Sequence, residues 1–215
     1  MSSSTMVPMG TVADALRIAA SQIGTTENPA GSNRQQYSTA LGRPAESWCA
    51  DFAEWVLRQV GITAPVQTWG NASTLVRCWG PIQQMPQPGD LVGYHFDGEA
   101  AGIGHVGIVE SVDLAARTVT SIEGNTTAGD AGVQSNGGGV YRRTRPFSQV
   151  VGFGRPPYSA PKEAPVPDPT PDYAVNAAPV SIAVLADGSG YIILCADGGV
   201  FTFGTARYLG RVHKS

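Results

Sequence analysis

Ser47-Trp48-Cys49-Ala50-Asp51-Phe52-Ala53-Glu54-Trp55-Val56-Leu57-Arg58-Gln59-Val60 is the stretch where an irregular segment gives way to an amphipathic helix. Phe52, Ala53, Val56, Leu57 and Val60 recur at helical spacing, and Gly61 supplies the stop. The helix therefore starts at about Cys49. A thiol at that point faces backbone N–H groups with no intrahelical partner and the positive end of the helix dipole, and both favour its nucleophilic thiolate form. Cysteines are more often small buried hydrophobes. That plainer reading suits Cys78 and Cys195, whose positions supply no reason for ionisation.

Upstream, Thr11 as N-cap, Asp14 three residues on and Gly24 as terminator predict a first helix, with Val12, Leu16, Ala19 and Ile23 as its apolar stripe. Residues 25–47 read as loop, with a short helix near Gln35 to Ala40. Downstream of the turn signal Gln87-Pro88-Gly89-Asp90 the period changes. Asp90 to Phe96, Gly104 to Val112, Thr118 to Glu123, Gly139 to Arg145 and Val150 to Gly154 predict antiparallel strands. Helices first and strands after predict an α+β fold, with helices packed on one face of a small curved sheet. The expected division is a leader over 1–10, the main domain over 11–158, a Pro-rich linker over 159–178 and a β tail over 179–215. Within the tail, Ser181 to Leu185, Gly190 to Cys195 and Val200 to Phe203 predict three short strands, too few residues to bury much core alone.

Composition excludes several classes. A net charge of −3 gives no reason to expect a nucleic-acid partner. The one basic run, Arg142-Arg143-Thr144-Arg145, is expected to be a solvated strand edge. Three cysteines with no C-x-x-C pair argue against a disulfide framework and structural zinc, which suits a reducing compartment. No cofactor or metal is expected. Met1 to Gly10 lacks the features of a secretory signal and no run is long enough to span a membrane, so stable membrane association is not expected.

Three histidines are available. His213 lies in the terminal tail, and His95 suits a strand end. His105, among the glycines of Gly102-Ile103-Gly104-His105-Val106-Gly107-Ile108-Val109, is the better general base, because those glycines let another group approach the backbone. Strand parity turns Glu110 away from His105 and puts Glu123 and Asn125 on one shared face. Either can accept from imidazole Nδ1–H and hold Nε2 toward the sulfur. Nucleophile, base and orienting group are all present, which is the requirement for acyl transfer through a cysteine.

Trp48-Cys49-Ala50, Pro88-Gly89-Asp90-Leu91-Val92, Gly104-His105-Val106-Gly107-Ile108-Val109 and Glu123-Gly124-Asn125 together resemble the CHAP family of cysteine, histidine-dependent amidohydrolases and peptidases. The resemblance spans roughly residues 11–158. It implies a papain-like α+β fold and cleavage of an amide bond in bacterial peptidoglycan. Cys49 takes the nucleophile's role, His105 the base's, and Glu123 with Asn125 the orienting one; Trp48 and Gly104, beside the two central residues, are expected substrate contacts. Some members carry an Asp-rich calcium loop before the cysteine, but residues 25–47 here hold no aspartate, so calcium is not carried over. Gly190 to Leu194 and Ala196 to Gly204 look like one copy of a Gly/aromatic repeat of actinobacterial surface and phage proteins, with wall binding as its expected role. The implied setting is a phage lysin of the host cytoplasm, with a holin-like export route and an actinobacterial wall as partner, or else a virion-associated hydrolase. A thiol hydrolase of other substrates and a non-catalytic wall-binding module are the rival readings.

Overall fold

The structure, a computed structural model, describes residues 10–98, 101–130, 132–160, 178–185, 189–196, 200–204 and 206. Residues 1–9 of the leader, most of the linker and His213 lie outside the described residues. The chain divides into two compact units, residues 1–161 and 162–215.

The first unit opens with α1 (Val12–Ser21), whose capping box is complete: the Thr11 hydroxyl accepts from Asp14 N–H, and the Asp14 carboxylate accepts from Thr11 N–H. Ala15 and Ala19 form its buried centre with Leu16 beside them, while Ile23 falls past the helix end and is exposed, so the expected stripe is one turn too long. A one-turn helix, α2 (Gln36–Ala40), precedes α3 (Cys49–Gln59), which starts and stops where the apolar periodicity requires. A fourth helix, α4 (Ala72–Arg77), has no counterpart in the sequence reading; Asn71 caps it by accepting from Thr74 N–H. Six residues carry too little periodicity to announce a helix.

Five antiparallel strands follow: β1 (Leu91–Tyr94), β2 (His105–Asp113), β3 (Thr118–Thr126), β4 (Gly139–Pro146) and β5 (Val150–Gly154), in the spatial order β4-β3-β2-β1-β5. The fold class is α+β, as expected. Alternation divides the sheet residues into two sets. Val106, Ile108, Ile122 and Val140 join the core of α1 and α3, whereas Val92, Tyr94, Val109, Val119 and Phe153 build a second cluster. α3 can lie close on β3 because residue 124 is glycine: a Cβ there would come 2.5 Å from Phe52 Cβ and 2.9 Å from the Trp48 ring.

In the second unit β6 (Pro179–Val184), β7 (Gly190–Cys195) and β8 (Val200–Gly204) form an antiparallel sheet in sequence order. Cys195 is buried, in line with its packing role.

Gly124→Ala tests the seating of α3. The added methyl overpacks against Phe52 and Trp48, and we expect a loss of about 1–3 kcal/mol in urea unfolding. A variant as stable as wild type would mean that α3 is not held against β3 at this point.

Candidate active site

Cys49 is the first residue of α3 and is 3% exposed. No side chain caps this helix, so the N–H groups of its first turn keep their donor capacity at the thiol's position. His105 opens β2 opposite Tyr94 and is fully buried. Its Nε2 lies 3.0 Å from Glu123 Oε2. The other ring nitrogen, Nδ1, is buried without a hydrogen bond of ordinary geometry, and the Cys49 thiol is the second polar group that acts on the ring. The expected tautomer assignment is thus reversed: Glu123 engages Nε2, which leaves Nδ1 for the sulfur.

Register explains the contact between His105 and Glu123. Gly107 lies directly across from Glu123, and a Cβ at Gly107 would come 2.8 Å from Glu123 Cγ. The group that one of these glycines lets approach the backbone is the Glu123 side chain. Burial disfavours the carboxylate, yet bonds from Arg145 and His105 and their positive charges outweigh it, so Glu123 is held down to about 2. Burial likewise opposes charge on His105. Cys49, through its charge and a hydrogen bond, and Glu123 by the same two means, push the ring up to about 9.

Arg145 is the residue the sequence reading missed. The basic run is not a solvated edge. Arg143 and Arg145 are 7% and 4% exposed, whereas Arg142 lies at the surface and pairs with Glu110. Alternation along β4 accounts for the split. Arg145 Nε donates to Glu123 Oε1 at 2.8 Å and Arg145 Nη2 donates to Oε2 at 2.7 Å, a bidentate pair. The guanidinium also lies over Phe96, 4.6 Å from the ring centre. Ser121 donates to Glu123 Oε1 at 2.7 Å and is tied in turn to Tyr94. Four hydrogen bonds from three side chains, Arg145, Ser121 and His105, thus fix one carboxylate. The signal was in the sequence: 143 and 145 share strand parity, and the partner strand carries a buried-type position at Glu123.

Asn125 stands apart from this group. The register of β3 slips between Glu123 and Thr126, and Asn125 takes the left-handed backbone at φ 57°. The slip gives Thr126 the place that unbroken alternation would give Asn125: the Thr126 hydroxyl, not the Asn125 amide, accepts from Arg145. Asn125 bonds instead to Ser135, Asn136 and Gly138 of the following loop. Trp48 is also corrected. It is fully buried, stacks on Tyr37, and donates from Nε1 to Glu27 at 2.9 Å, so its surface is spent in the core rather than on a substrate. Gly104 is exposed immediately before His105, and its N–H donates to the Tyr94 carbonyl.

A second ionic group holds α3 from the side away from the sheet. Arg43 donates to Asp51, to Glu54 at 2.7 Å and to Thr68 at 2.9 Å; Ser38 donates to Asp51 and Arg58 to Glu54. No group of three or more His, Cys, Asp or Glu among the described residues is placed to hold a metal ion.

A thiol at a helix start, an imidazole and an ionised carboxylate make a site equipped for attack by sulfur on a carbonyl. Residues 41–125 match the family model described as the CHAP domain, which bears out the resemblance drawn from the motifs. That segment contains Cys49, His105, Glu123 and Asn125. Among solved structures the chain is similar to the wild-type endolysin LysIME-EF1, at 20% identity and a TM-score of 0.49, over 71% of this chain and 67% of that one. It is also similar to Ly7917, at 22% identity and a TM-score of 0.39, over 68% of this chain and 62% of that one. No protein of curated function matches the chain.

Arg145→Met leaves the Glu123 charge buried without its main partner, and we expect a loss of about 3–5 kcal/mol in denaturant unfolding. The double variant Arg145→Met/Glu123→Gln should recover part of that loss, because the unpaired charge is gone. Equal losses in the single and double variants would contradict the pairing.

Proposed function

We propose that the chain is a peptidoglycan hydrolase that cuts an amide bond by nucleophilic attack of Cys49. The observation behind this reading is the arrangement of Cys49, His105 and Glu123, with Nδ1 the imidazole nitrogen left without another partner. The match of residues 41–125 to the CHAP domain supports it, and it supplies the substrate class.

In this mechanism Cys49 and His105 form a thiolate–imidazolium pair, with Nδ1–H directed to the sulfur. The sulfur attacks the scissile carbonyl, and its electrons move onto the carbonyl oxygen. The oxyanion is held by N–H groups of the first turn of α3, that of Cys49 among them. His105 then protonates the departing amine, leaving a thioester. Water, deprotonated by the neutral imidazole, attacks the thioester, and the thiolate leaves. Glu123 stays ionised throughout. It holds the ring through Nε2 and stabilises the imidazolium, the part an orienting carboxylate plays beside a catalytic histidine. Asn125 acts one step removed, by shaping the loop after β3.

The product is an amine and a carboxylic acid, released either between sugar and peptide stem or within the peptide. We assign the second unit a role in wall attachment, and we place the protein as a phage lysin that crosses the host membrane through a separate pore. No helix among the described residues is long and apolar enough to cross a membrane itself.

Turbidity of purified actinobacterial walls under reductant tests the reading. Wild type should clear them, and Cys49→Ala should lose at least about 10³-fold in rate. If the alanine variant clears walls as well, Cys49 is not the nucleophile. If neither clears them but both sediment with them, the wall-binding reading replaces the hydrolase, and rapid turnover of soluble peptides alone would move the substrate away from the wall.

A further inference from the structure

We propose that a cavity at the start of α3, distinct from the Cys49–His105 pair, is a carbohydrate subsite with Trp69 as its stacking surface. The cavity has a volume of about 500 Å³, and Pro44, Glu46, Ser47, Asp51, Trp69 and Asn71 are among the residues that line it. That volume lies within the usual range for small-ligand sites, roughly 300–1,000 Å³.

Trp69 is the observation that points to a ligand. The residue is 76% exposed, although an indole is one of the largest apolar surfaces a residue can bury. Its backbone is left-handed, at φ 52°, a region that a bulky residue rarely occupies. A segment held in such a conformation needs fixing from its surroundings, and here the fixing is visible. The Thr68 hydroxyl donates to Glu54 at 2.6 Å and accepts from Arg43 at 2.9 Å, and Asn71 N–H donates to the Thr68 carbonyl at 2.9 Å. Gly70 continues the left-handed turn at φ 75°, close enough to Asp51 that a Cβ there would lie 3.2 Å from its Oδ1. The turn is pinned from beneath, and the indole is presented outward.

The surroundings select a sugar. An indole face packs against the C–H face of a pyranose ring. The Ser47 hydroxyl, the free part of the Asn71 amide and the Glu46 carboxylate can bond ring hydroxyls and an acetamido N–H. The two buried charges of the lining, Arg43 and Asp51, are paired with each other, so neither is left to select an anion or a cation.

The subsite rests on the wall-hydrolase reading for the identity of the polymer, a glycan of N-acetylated amino sugars. Asp51 follows Cys49 by two residues, roughly 200° round the helix. The cavity therefore lies round the end of α3 from the thiol and holds a sugar at a distance from the amide that is cut. Such contacts are equally strong before and during the reaction, so they set KM more than kcat.

Calorimetric titration in the Cys49→Ala background separates the two readings, because it needs no turnover. The probes are peptide-free oligomers of alternating N-acetylglucosamine and N-acetylmuramic acid, and the free peptide stem. Adding Trp69→Ala should weaken glycan binding about tenfold, a size typical of a lost aromatic contact with its buried area. Trp69→Phe should restore most of it, and peptide binding should not change. With Cys49 intact, Trp69→Ala should raise KM on walls and leave kcat near wild type. Glycan binding that is absent, or unaffected by Trp69→Ala, overturns the subsite. Loss of peptide binding instead reassigns the cavity to the stem and overturns the sugar. Failure of wild type to clear walls would sink the hydrolase, while the glycan titration would still decide the cavity.

Discussion

Burial of the Arg145–Glu123 ion pair is the constraint on which the rest of the site depends. A carboxylate enclosed as completely as Glu123 would ordinarily take up a proton. Two parallel bonds from one guanidinium, a serine hydroxyl and the imidazole keep it ionised. An ionised Glu123 is the strong acceptor for Nε2–H, and with Nε2 so engaged Nδ1 is the nitrogen left for the thiol. The desolvation cost of the pair is substantial, and the aromatic rings of Tyr94 and Phe96 against the guanidinium offset part of it.

This arrangement joins two differently built layers. Cys49 belongs to the apolar core that α1 and α3 share with one set of sheet residues. Glu123 and Arg145 have the opposite strand parity, the set that includes Tyr94, Val109 and Val119. His105, as the first residue of β2, stands where the two meet. Small residues make the junction possible: Gly124 lets α3 approach β3, and Gly107 lets Glu123 reach the ring. On the far side of α3, the Arg43 group ties the loop before Cys49 to the helix and to Thr68. Buried ion pairs thus lie on both sides of the Cys49–His105 contact.

Much of this was legible in the sequence because it is periodic. The helix from Cys49, the capping box of α1 and all five strands of the first unit follow from local spacing, which needs no tertiary information. Strand parity favours Glu123 over Glu110 as the partner of His105, and the 3.0 Å contact of Nε2 with Oε2 agrees with it. The misses have equally physical causes. A bulge breaks parity after Glu123, so Thr126 takes the face that unbroken alternation gives Asn125. Four consecutive polar residues at 142–145 read as solvated when taken as a run, whereas alternate positions face the interior. Trp48 lies next to Cys49 in sequence, but its indole N–H finds Glu27 inside the fold. None of these partners is local, and spacing alone could not name them.

An NMR pH titration of the His105 ring in wild type and in Cys49→Ala tests directly whether Cys49 and Glu123 together hold the ring charged. An imidazolium is expected at neutral pH in the wild-type protein, losing its proton as pH rises through about 9, with the midpoint moving down once the sulfur is removed. A ring that is neutral at pH 7 in wild type, titrating at or below the ordinary 6.5 and unmoved by Cys49→Ala, would contradict this expectation.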